Sequence, residues 1–198
     1  YQLVTEGNIY FLSRPRRFGK SLLVSTLKNY FQGKKELFKG LAIDSLEKEW
    51  VEHPVFHLSF GGENFLTAGT LDDKLENAIS GWEEIYGTSP HYTTLGNRFI
   101  YVLKAAHQKY GKRAVVLIDE YDKPLLDVID TDTKVKVDCN ELLLEDHNRN
   151  VLKGFYSVFK EADADLQFVL LTGVTKFSQV SVFSGFNQPA DISLDGRY

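Results

Sequence analysis

The sequence predicts an α/β fold, with a mainly parallel sheet and helices on both of its faces. Two runs, 114–118 and 166–171, are almost continuously apolar, which is typical of strands buried on both faces of a sheet. Longer segments between the predicted strands place apolar residues three and four positions apart, which predicts helices. Strands that alternate with helices pair in parallel through right-handed crossovers. We therefore expect helices to cover the sheet from both sides.

The predicted elements follow one another in a regular order. Strands are expected at residues 8–13, 54–60, 114–118 and 166–171. Helices are expected at 20–31, 71–86, 95–110 and 141–161, with short helical turns at 34–38 and 124–129. Residues 130–140 carry many charges and no aromatic side chain, so we expect a surface loop there. No repeat or composition shift divides the chain, and we expect residues 1–198 to form a single domain.

The composition is that of a globular protein. Of the 198 residues, 43% are hydrophobic and 25% are charged. No apolar run approaches the ~20 residues of a membrane-spanning helix, and the first residues do not form a signal peptide, so we expect no membrane partner. Cys139 is the single cysteine, which fits a reducing compartment, and we expect a cytoplasmic location. The chain contains no methionine, even at position 1, so we expect a fragment of a longer protein.

Charge is distributed unevenly along the chain. The net charge is −4, but residues 1–40 contain eight basic and two acidic residues, a net +6, which leaves −10 for the rest. A positive field in this region would attract a polyanion, although a solvated basic face would have the same composition. The overall acidity argues against a protein that coats nucleic acid without sequence preference.

The most informative stretch is Arg14-Pro15-Arg16-Arg17-Phe18-Gly19-Lys20-Ser21. It follows a predicted strand and opens a predicted helix, which is the context of a phosphate-binding loop. The first turn of a helix has backbone N–H groups without helical acceptors and the positive end of the helix dipole, so it binds anions. Gly19 would let the backbone approach a phosphate, Lys20 would contribute its charge, and Ser21 would offer a hydroxyl to Mg²⁺. The full motif has glycine where Arg14 stands, and a basic surface loop that caps a strand is the alternative.

A second group of polar residues follows the two buried strands. Asp119 and Glu120 come directly after one of them, and Thr172 follows the other. Ligands in open α/β sheets bind beyond the carboxyl ends of the strands. Asp119 would hold Mg²⁺, usually through water, Glu120 would polarise the attacking water, and Thr172 would hydrogen-bond that water or the terminal phosphate. Alone, the acidic pair could equally cap a neighbouring helix, but its combination with the loop favours a nucleotide site.

Five stretches across most of the chain form a recognisable set: FLSRPRRFGKSL at 11–22, VLIDEYDKPL at 116–125, LKGFY at 152–156, LTGVTKFS at 171–178 and DISLD at 191–195. With them the chain resembles the predicted AAA-ATPase-like family of bacterial proteins, which is often fused to a C-terminal nuclease-like domain of the PD-(D/E)xK type. The Arg-Pro-Arg-Arg-Phe-Gly-Lys form of the loop is that family's own version. Arg14 therefore does not by itself count against nucleotide binding.

The resemblance implies a three-layer P-loop NTPase sandwich, in which an inserted strand separates the loop strand from the strand that ends at Asp119. The implied sheet order is second strand, Asp119 strand, Thr172 strand, loop strand. ATP and Mg²⁺ would be the bound groups, with Glu120 and Thr172 as catalytic residues and Ser21 and Asp119 as metal ligands. The residues implied for nucleotide binding are Arg16, Arg17, Phe18, Gly19, Lys20, Ser21 and Leu22.

Several further residues keep two interpretations each. Arg16 and Arg17 could reach the phosphates of a nucleotide bound here or in a neighbouring subunit, or could lie in solvent. Lys176 would be a second phosphate contact or, more in keeping with its position, a surface lysine. Asp122 could orient the loop, although a cap of the following helix is favoured. The five histidines lack the spacing of metal ligands, and His57 on an apolar strand is expected to be a core residue.

These observations predict magnesium-dependent ATP binding and hydrolysis, as the switch or motor of a larger bacterial protein that acts on DNA. The nuclease-like domain, and DNA through it, are the expected partners, and a homo-oligomer is a further candidate assembly. The alternative is a nucleotide-gated interaction module with little or no turnover. A third interpretation is a degenerate P-loop fold that binds nucleic acid through its basic N-terminal face. No residue identifiably reads the nucleobase.

Overall fold

The computed structural model describes residues 1–6, 9–137, 139–175 and 189–196. A central sheet is formed by β1 (Ile9–Ser13), β2 (Val55–Ser59), β3 (Ala114–Asp119), β6 (Leu166–Gly173) and β7 (Ala190–Asp191), and a separate hairpin by β4 (Lys134–Val137) and β5 (Asn140–Leu143). The helices are α1 (Gln2–Glu6), α2 (Lys20–Phe31), α3 (Ala42–Leu46), α4 (Thr70–Tyr86), α5 (Leu95–Tyr110), α6 (Lys123–Leu126) and α7 (Leu144–Glu161). Short 3-10 helices span Lys35–Phe38 and Asp163–Asp165.

The central sheet has the strand order β2-β3-β6-β1-β7, and each of its described strand pairs is parallel. The predicted strands occupy the implied order, with β6 inserted between β1 and β3. The short edge strand β7 is not among the elements that the sequence predicts. The mixed α/β architecture is compatible with the P-loop sandwich that the resemblance implies.

Helices cover both faces of the sheet, as expected from the apolar strands. On one face, α4, α5 and α7 pack against alternate strand residues, which include Phe56, Leu58, Val116, Ile118, Val169 and Leu171. On the other face, α2 packs through Val24, Leu27 and Phe31 against the residues that point the opposite way, among them Val115, Leu117, Phe168 and Leu170. Successive side chains of a strand point to opposite faces. The four longer strands, β1, β2, β3 and β6, therefore each contribute to both cores.

The region 130–140 differs from the predicted surface loop. Part of it forms β4, which pairs antiparallel with β5, and α7 begins at Leu144 where the sequence predicted a start at residue 141. Residues 134–137 read Lys-Val-Lys-Val, an alternation with the period of a strand. Val135 lies opposite Leu142, and both strands contact α7. Two half-buried valines are enough for an exposed hairpin, so charge and the lack of aromatic residues did not exclude one.

Within the part of the chain that the structure describes, no helix is both long enough and apolar enough to cross a membrane.

Candidate functional site

The predicted site residues lie at one edge of the sheet. In the strand register, Ser13 pairs with Gly173 and Ser59 pairs with Asp119, so neighbouring strands end at nearly the same level. Two backbone hydrogen bonds continue this edge beyond the strands. The N–H of Arg14 donates to the carbonyl of Gly173 over 3.1 Å, and the N–H of Phe60 donates to the carbonyl of Asp119 over 3.1 Å.

The alternation of the strands places Asp119 and Thr172 on the same face of this edge. Leu117 and Leu170 point into the core that α2 covers, so Asp119 and Thr172, each two residues further on, point to that face as well. Lys20 is the first residue of α2, which contacts both β3 and β6. The first turn of α2 therefore lies on the same face of this edge as two of the polar strand-end residues.

The loop from residue 14 to residue 19 has an unusual backbone. Arg17 and Gly19 adopt positive φ angles of 68° and 74°. An added Cβ at Gly19 would meet nothing within 4 Å, so the backbone conformation, not crowding, favours glycine there. The first helical hydrogen bond of α2 runs from the N–H of Leu23 to the carbonyl of Gly19 over 2.9 Å. The N–H groups of Lys20, Ser21 and Leu22 precede the first helical donor, so they have no acceptor within the helix and suit an anion.

The side chain of Lys20 folds back into this loop. Its ammonium group donates to the carbonyl oxygens of Arg14 over 2.8 Å and Pro15 over 3.1 Å, and the residue is only 7% exposed. An ammonium group has three donors, so these contacts leave one N–H for a further acceptor. No carboxylate among the described residues forms an ion pair with Lys20. The loop thus holds a positive charge close to the first turn of α2.

The other predicted loop side chains point into solvent. Arg16, Arg17, Phe18 and Ser21 are all exposed, and the side chain of Leu22 is 71% exposed. Phe18 and Leu22 are large apolar residues at the surface. The contribution of Leu22 to an anion site would come from its backbone N–H. The two interpretations of Arg16 and Arg17 both remain compatible with this exposure.

Asp119 and Thr172 form a buried pair. Asp119 is 5% exposed and Thr172 is fully buried, and the hydroxyl of Thr172 donates to Oδ1 of Asp119. The backbone N–H of Glu120 donates to the same oxygen over 3.1 Å. Among the described residues, no group donates to the other oxygen, Oδ2. One carboxylate oxygen is thus held in place while the second remains for a ligand, which fits a hard cation such as Mg²⁺.

Glu120 faces a different neighbour from Asp119. Its φ angle is 56°, an unusual value for a residue with a Cβ. Its carboxylate lies over the end of β2, where an added Cβ at Gly61 would come within 3.3 Å of both Oε2 of Glu120 and Oγ of Ser59. The two acidic residues of the motif therefore point towards opposite neighbouring strands. Ser59 was not identified from the sequence.

His57 lies on β2, as the sequence predicted, and is half-buried. Burial lowers the pKa of its imidazole, the nearby charge of Lys28 lowers that pKa further, and the charge of Asp119 opposes the shift. The shift favours the neutral imidazole at neutral pH. His57 therefore adds no fixed charge beside the acidic strand ends.

Asp122 occupies the N-cap position of α6, as the sequence favoured, but its side chain does not cap the helix. No side-chain cap bond is formed at the start of α6. The carboxylate of Asp122 instead accepts hydrogen bonds from the N–H groups of Val174 and Thr175 and from the hydroxyl of Thr175. The other interpretation, that Asp122 orients a loop, agrees with these contacts. Its partners lie more than 50 residues away, so local sequence patterns gave no signal for them.

Residues near the C-terminus of the chain also contact the loop strand. The hydroxyl of Ser193 accepts a hydrogen bond from the N–H of Ser13 over 2.8 Å, and the N–H of Ile192 donates to the carbonyl of Phe11 over 2.9 Å. These contacts fasten the strand that leads into the loop. The proposed phosphate contact Lys176 lies outside the described residues.

A pocket of about 420 Å³ opens beside the loop. It extends from Arg14, Phe18 and Gly19 along one side of α2 to α1. Most of its lining is apolar, including Leu3, Val4, Leu12, Leu23, Leu27 and Ile192. Its volume lies in the range of small-molecule sites, which are mostly apolar with a few polar groups.

Comparison with known proteins agrees with the motifs. A family model described as Predicted AAA-ATPase matches residues 1–183. Among curated proteins, the chain is 42% identical over 197 residues to an uncharacterized protein in the vnfD 5' region of Azotobacter chroococcum mcd 1. The alignment covers all of this chain and 36% of the relative, so the chain spans just over a third of that protein's length. No solved structure matches the chain.

Proposed function

The chain belongs to the predicted AAA-ATPase family, and from that premise we propose that it binds ATP with magnesium and hydrolyses it. The observation that carries the proposal is the placement of Lys20 and the first turn of α2 on the sheet face that also bears Asp119 and Thr172. A cation and unpaired helical N–H groups suit phosphates, and a partly free carboxylate suits their metal ion.

Phosphate binding is assigned to the loop and the start of α2. Lys20 has one N–H to give to a phosphate oxygen while its other two hold the carbonyls of Arg14 and Pro15. The backbone of residues 16–22 supplies further donors. Ser21 and Oδ2 of Asp119 are the groups that would hold magnesium, which supplies positive charge against the phosphates when bound.

Glu120 is assigned the activation of water, and Thr172 the orientation of Asp119. The hydrogen bond from Thr172 fixes Oδ1 of Asp119, so the direction of Oδ2 is fixed as well. Glu120 is the residue after Asp119, and its carboxylate lies beside Ser59 at the end of β2. A carboxylate in this position can accept a proton from water as the water attacks.

The apolar pocket beside the loop is the natural place for the nucleobase. It begins at Phe18 and Gly19, and it is lined by apolar side chains of α1 and α2. Burial of a flat aromatic base against such residues contributes affinity that the phosphates alone would lack. ATP should therefore bind more tightly than inorganic tripolyphosphate, which has no base.

The role in a larger protein is a second part of the proposal. We assign the chain the role of switch or motor in a longer bacterial protein that acts on DNA through a nuclease-like domain. The chain matches 36% of its curated relative, which leaves room for such a domain there. Exposed Arg16 and Arg17 could contact the nucleotide of a neighbouring copy in a homo-oligomer.

The binding experiment is calorimetric titration with ATP and Mg²⁺, comparing wild type, Lys20→Ala and the control Lys28→Ala. Both lysines belong to α2, but Lys28 lies in its last turn, away from the loop. Lys20→Ala should lose at least about 100-fold in affinity, because a charge-assisted phosphate contact and the loop contacts of the ammonium disappear together. Lys28→Ala should bind like wild type. Equal affinity of all three proteins would refute the assigned phosphate site.

Turnover of Glu120→Gln separates hydrolysis from binding. We expect ATP affinity close to wild type and a rate of phosphate release lower by about 10²-fold or more, since the variant cannot accept the proton. Undiminished turnover would remove the role assigned to Glu120. Tight binding by wild type with negligible turnover would instead support the nucleotide-gated interaction module.

A further inference from the structure

Two consecutive residues after β3 hold the segment that follows β6. Tyr121 donates its backbone N–H to the carbonyl of Thr172 over 2.9 Å and its hydroxyl to the carbonyl of Thr175 over 3.0 Å. Asp122 accepts from the N–H of Val174 over 2.9 Å, and from the N–H and hydroxyl of Thr175 over 2.8 and 3.0 Å. We name this pair, Tyr121 and Asp122, the clamp.

The clamp is buried and closely fitted. Asp122 is 1% exposed and Tyr121 is fully buried. Gly173 lies directly under the clamp, where an added Cβ would come within 2.5 Å of the Tyr121 ring and 2.8 Å of the Asp122 carboxylate. All three hydrogen bonds to Asp122 end on the single oxygen Oδ2. These contacts hold residues 173–175 against the residues that follow β3.

The clamp joins the same two strand ends that carry the buried pair of the site. Thr172 hydrogen-bonds Asp119 immediately before the clamp, and the clamp residues begin two positions after Asp119. Among the described residues, the side chain of Thr172 forms one hydrogen bond, to Asp119. The orientation of the Thr172 side chain therefore depends on the position of its backbone. Tyr121 and Asp122 hold that backbone and the residues that follow it.

We propose that Asp122 is a positioning residue for magnesium–nucleotide binding, which acts by holding the end of β6 so that the Thr172 hydroxyl fixes Asp119. This inference rests on the proposed function, because Asp119 is assigned there to the metal ion. Asp122 itself touches neither nucleotide nor metal in this scheme. Its effect passes through the backbone of Val174 and Thr175 to Thr172.

The test is a double-mutant cycle with Asp122→Asn, Thr172→Val and the double variant, measured as ATP affinity with magnesium and with EDTA. The amide oxygen of asparagine can still accept from the three donors, but neutral acceptors are weaker than a carboxylate. Asp122→Asn should reduce the magnesium-dependent gain in affinity about tenfold and leave the affinity in EDTA unchanged. In the Thr172→Val background, Asp122→Asn should reduce the magnesium-dependent gain in affinity by less than a further factor of about two.

A general loss of stability would lower affinity with and without magnesium alike, and additive effects would mean that Asp122 does not act through Thr172. Either outcome would overturn the proposal. Asp127→Asn is the matched control, since Asp127 accepts from the N–H of Phe65 and from Lys123 in the same region but forms no hydrogen bond with residues 172–175. The magnesium-dependent gain in ATP affinity of Asp127→Asn should equal that of wild type.

Amide hydrogen exchange tests the clamp without nucleotide. The N–H groups of Val174, Thr175 and Tyr121 should exchange faster in Asp122→Ala, to a smaller extent in Asp122→Asn, and at the wild-type rate in Asp127→Asn. Unchanged exchange at Tyr121 in Asp122→Ala would overturn the proposal, because the N–H of Tyr121 donates to the carbonyl of Thr172. If the variants show this exchange pattern but wild type shows no magnesium-dependent gain in ATP affinity, the proposed function fails while the structural role of the clamp stands.

Discussion

The loop between β1 and α2 and the polar ends of β3 and β6 lie at the same edge of the sheet, but they are built in opposite ways. In the loop, Arg16, Arg17 and Phe18 are exposed, and Lys20 is the residue that turns inwards. At the strand ends, Asp119, Thr172 and Asp122 are all nearly inaccessible to solvent and are hydrogen-bonded across strands.

The contrast indicates that the loop and the strand ends have different roles. Most side chains of the loop are exposed, while Lys20 is buried against the carbonyls of Arg14 and Pro15. Groups that set the direction of a carboxylate are buried, where hydrogen bonds are stronger and an unpaired polar atom costs about 1–3 kcal/mol. Substitutions at the strand ends should therefore affect stability, while substitutions in the loop should chiefly affect binding.

The largest effect on stability is expected at the strand ends, from Gly173→Ala. The added methyl group would overlap the ring of Tyr121 at 2.5 Å, and the carboxylate of Asp122 on the far side prevents an easy shift. We expect the free energy of unfolding to fall by about 3 kcal/mol, measured by urea denaturation. Gly154→Ala in α7 is the matched control, since nothing lies within 4 Å of its added Cβ. It should be neutral or stabilising by up to about 1 kcal/mol.

The same substitution in the loop, Gly19→Ala, should have a smaller effect on stability. Its added methyl group meets nothing within 4 Å, so the cost is only that of a positive φ angle, about 1 kcal/mol. ATP affinity should fall more than stability, because relief of the strain moves the N–H groups at the start of α2. A loss of stability as large as that of Gly173→Ala would contradict the contrast between the two regions.

The smallest effect on stability is expected from Phe18→Ser. Phe18 is 67% exposed, so the free energy of unfolding should stay within about 0.5 kcal/mol of wild type. The residue also lines the apolar pocket, and the preference for ATP over tripolyphosphate should narrow in competition titrations. A preference identical to that of wild type would place the base elsewhere.

The sequence predicted the parallel core and the edge at which the candidate residues gather. Continuous apolar runs identified β3 and β6, and the bounds of α2 and α5 agree with the predicted ranges. These features depend on local periodicity, which a single sequence displays directly. The sheet order that makes the strands of Thr172 and Asp119 neighbours was implied by the family resemblance, not by periodicity.

The contacts between distant segments could not be predicted in the same way. Asp122 has the sequence context of a helix cap, and only the fold shows that its carboxylate accepts hydrogen bonds from Val174 and Thr175 instead of capping the helix. Ser193 and β7 gave no periodic signal because the strand is two residues long. The roles of the site residues and the single-domain organisation stay predictions.

The pairing of β1 has a consequence for the order in which the protein can be assembled. Its neighbours are β6 and β7, and the hydrogen bond between Ser13 and Ser193 spans 180 positions. Loop closure over such distances is slow, and a chain leaving the ribosome presents its N-terminal segment first. The loop at residues 14–19 therefore emerges well before the two strands that flank β1, which begin at Leu166 and Ala190. Until β6 has emerged, β1 lacks both of its partner strands and is open to pairing with a wrong segment.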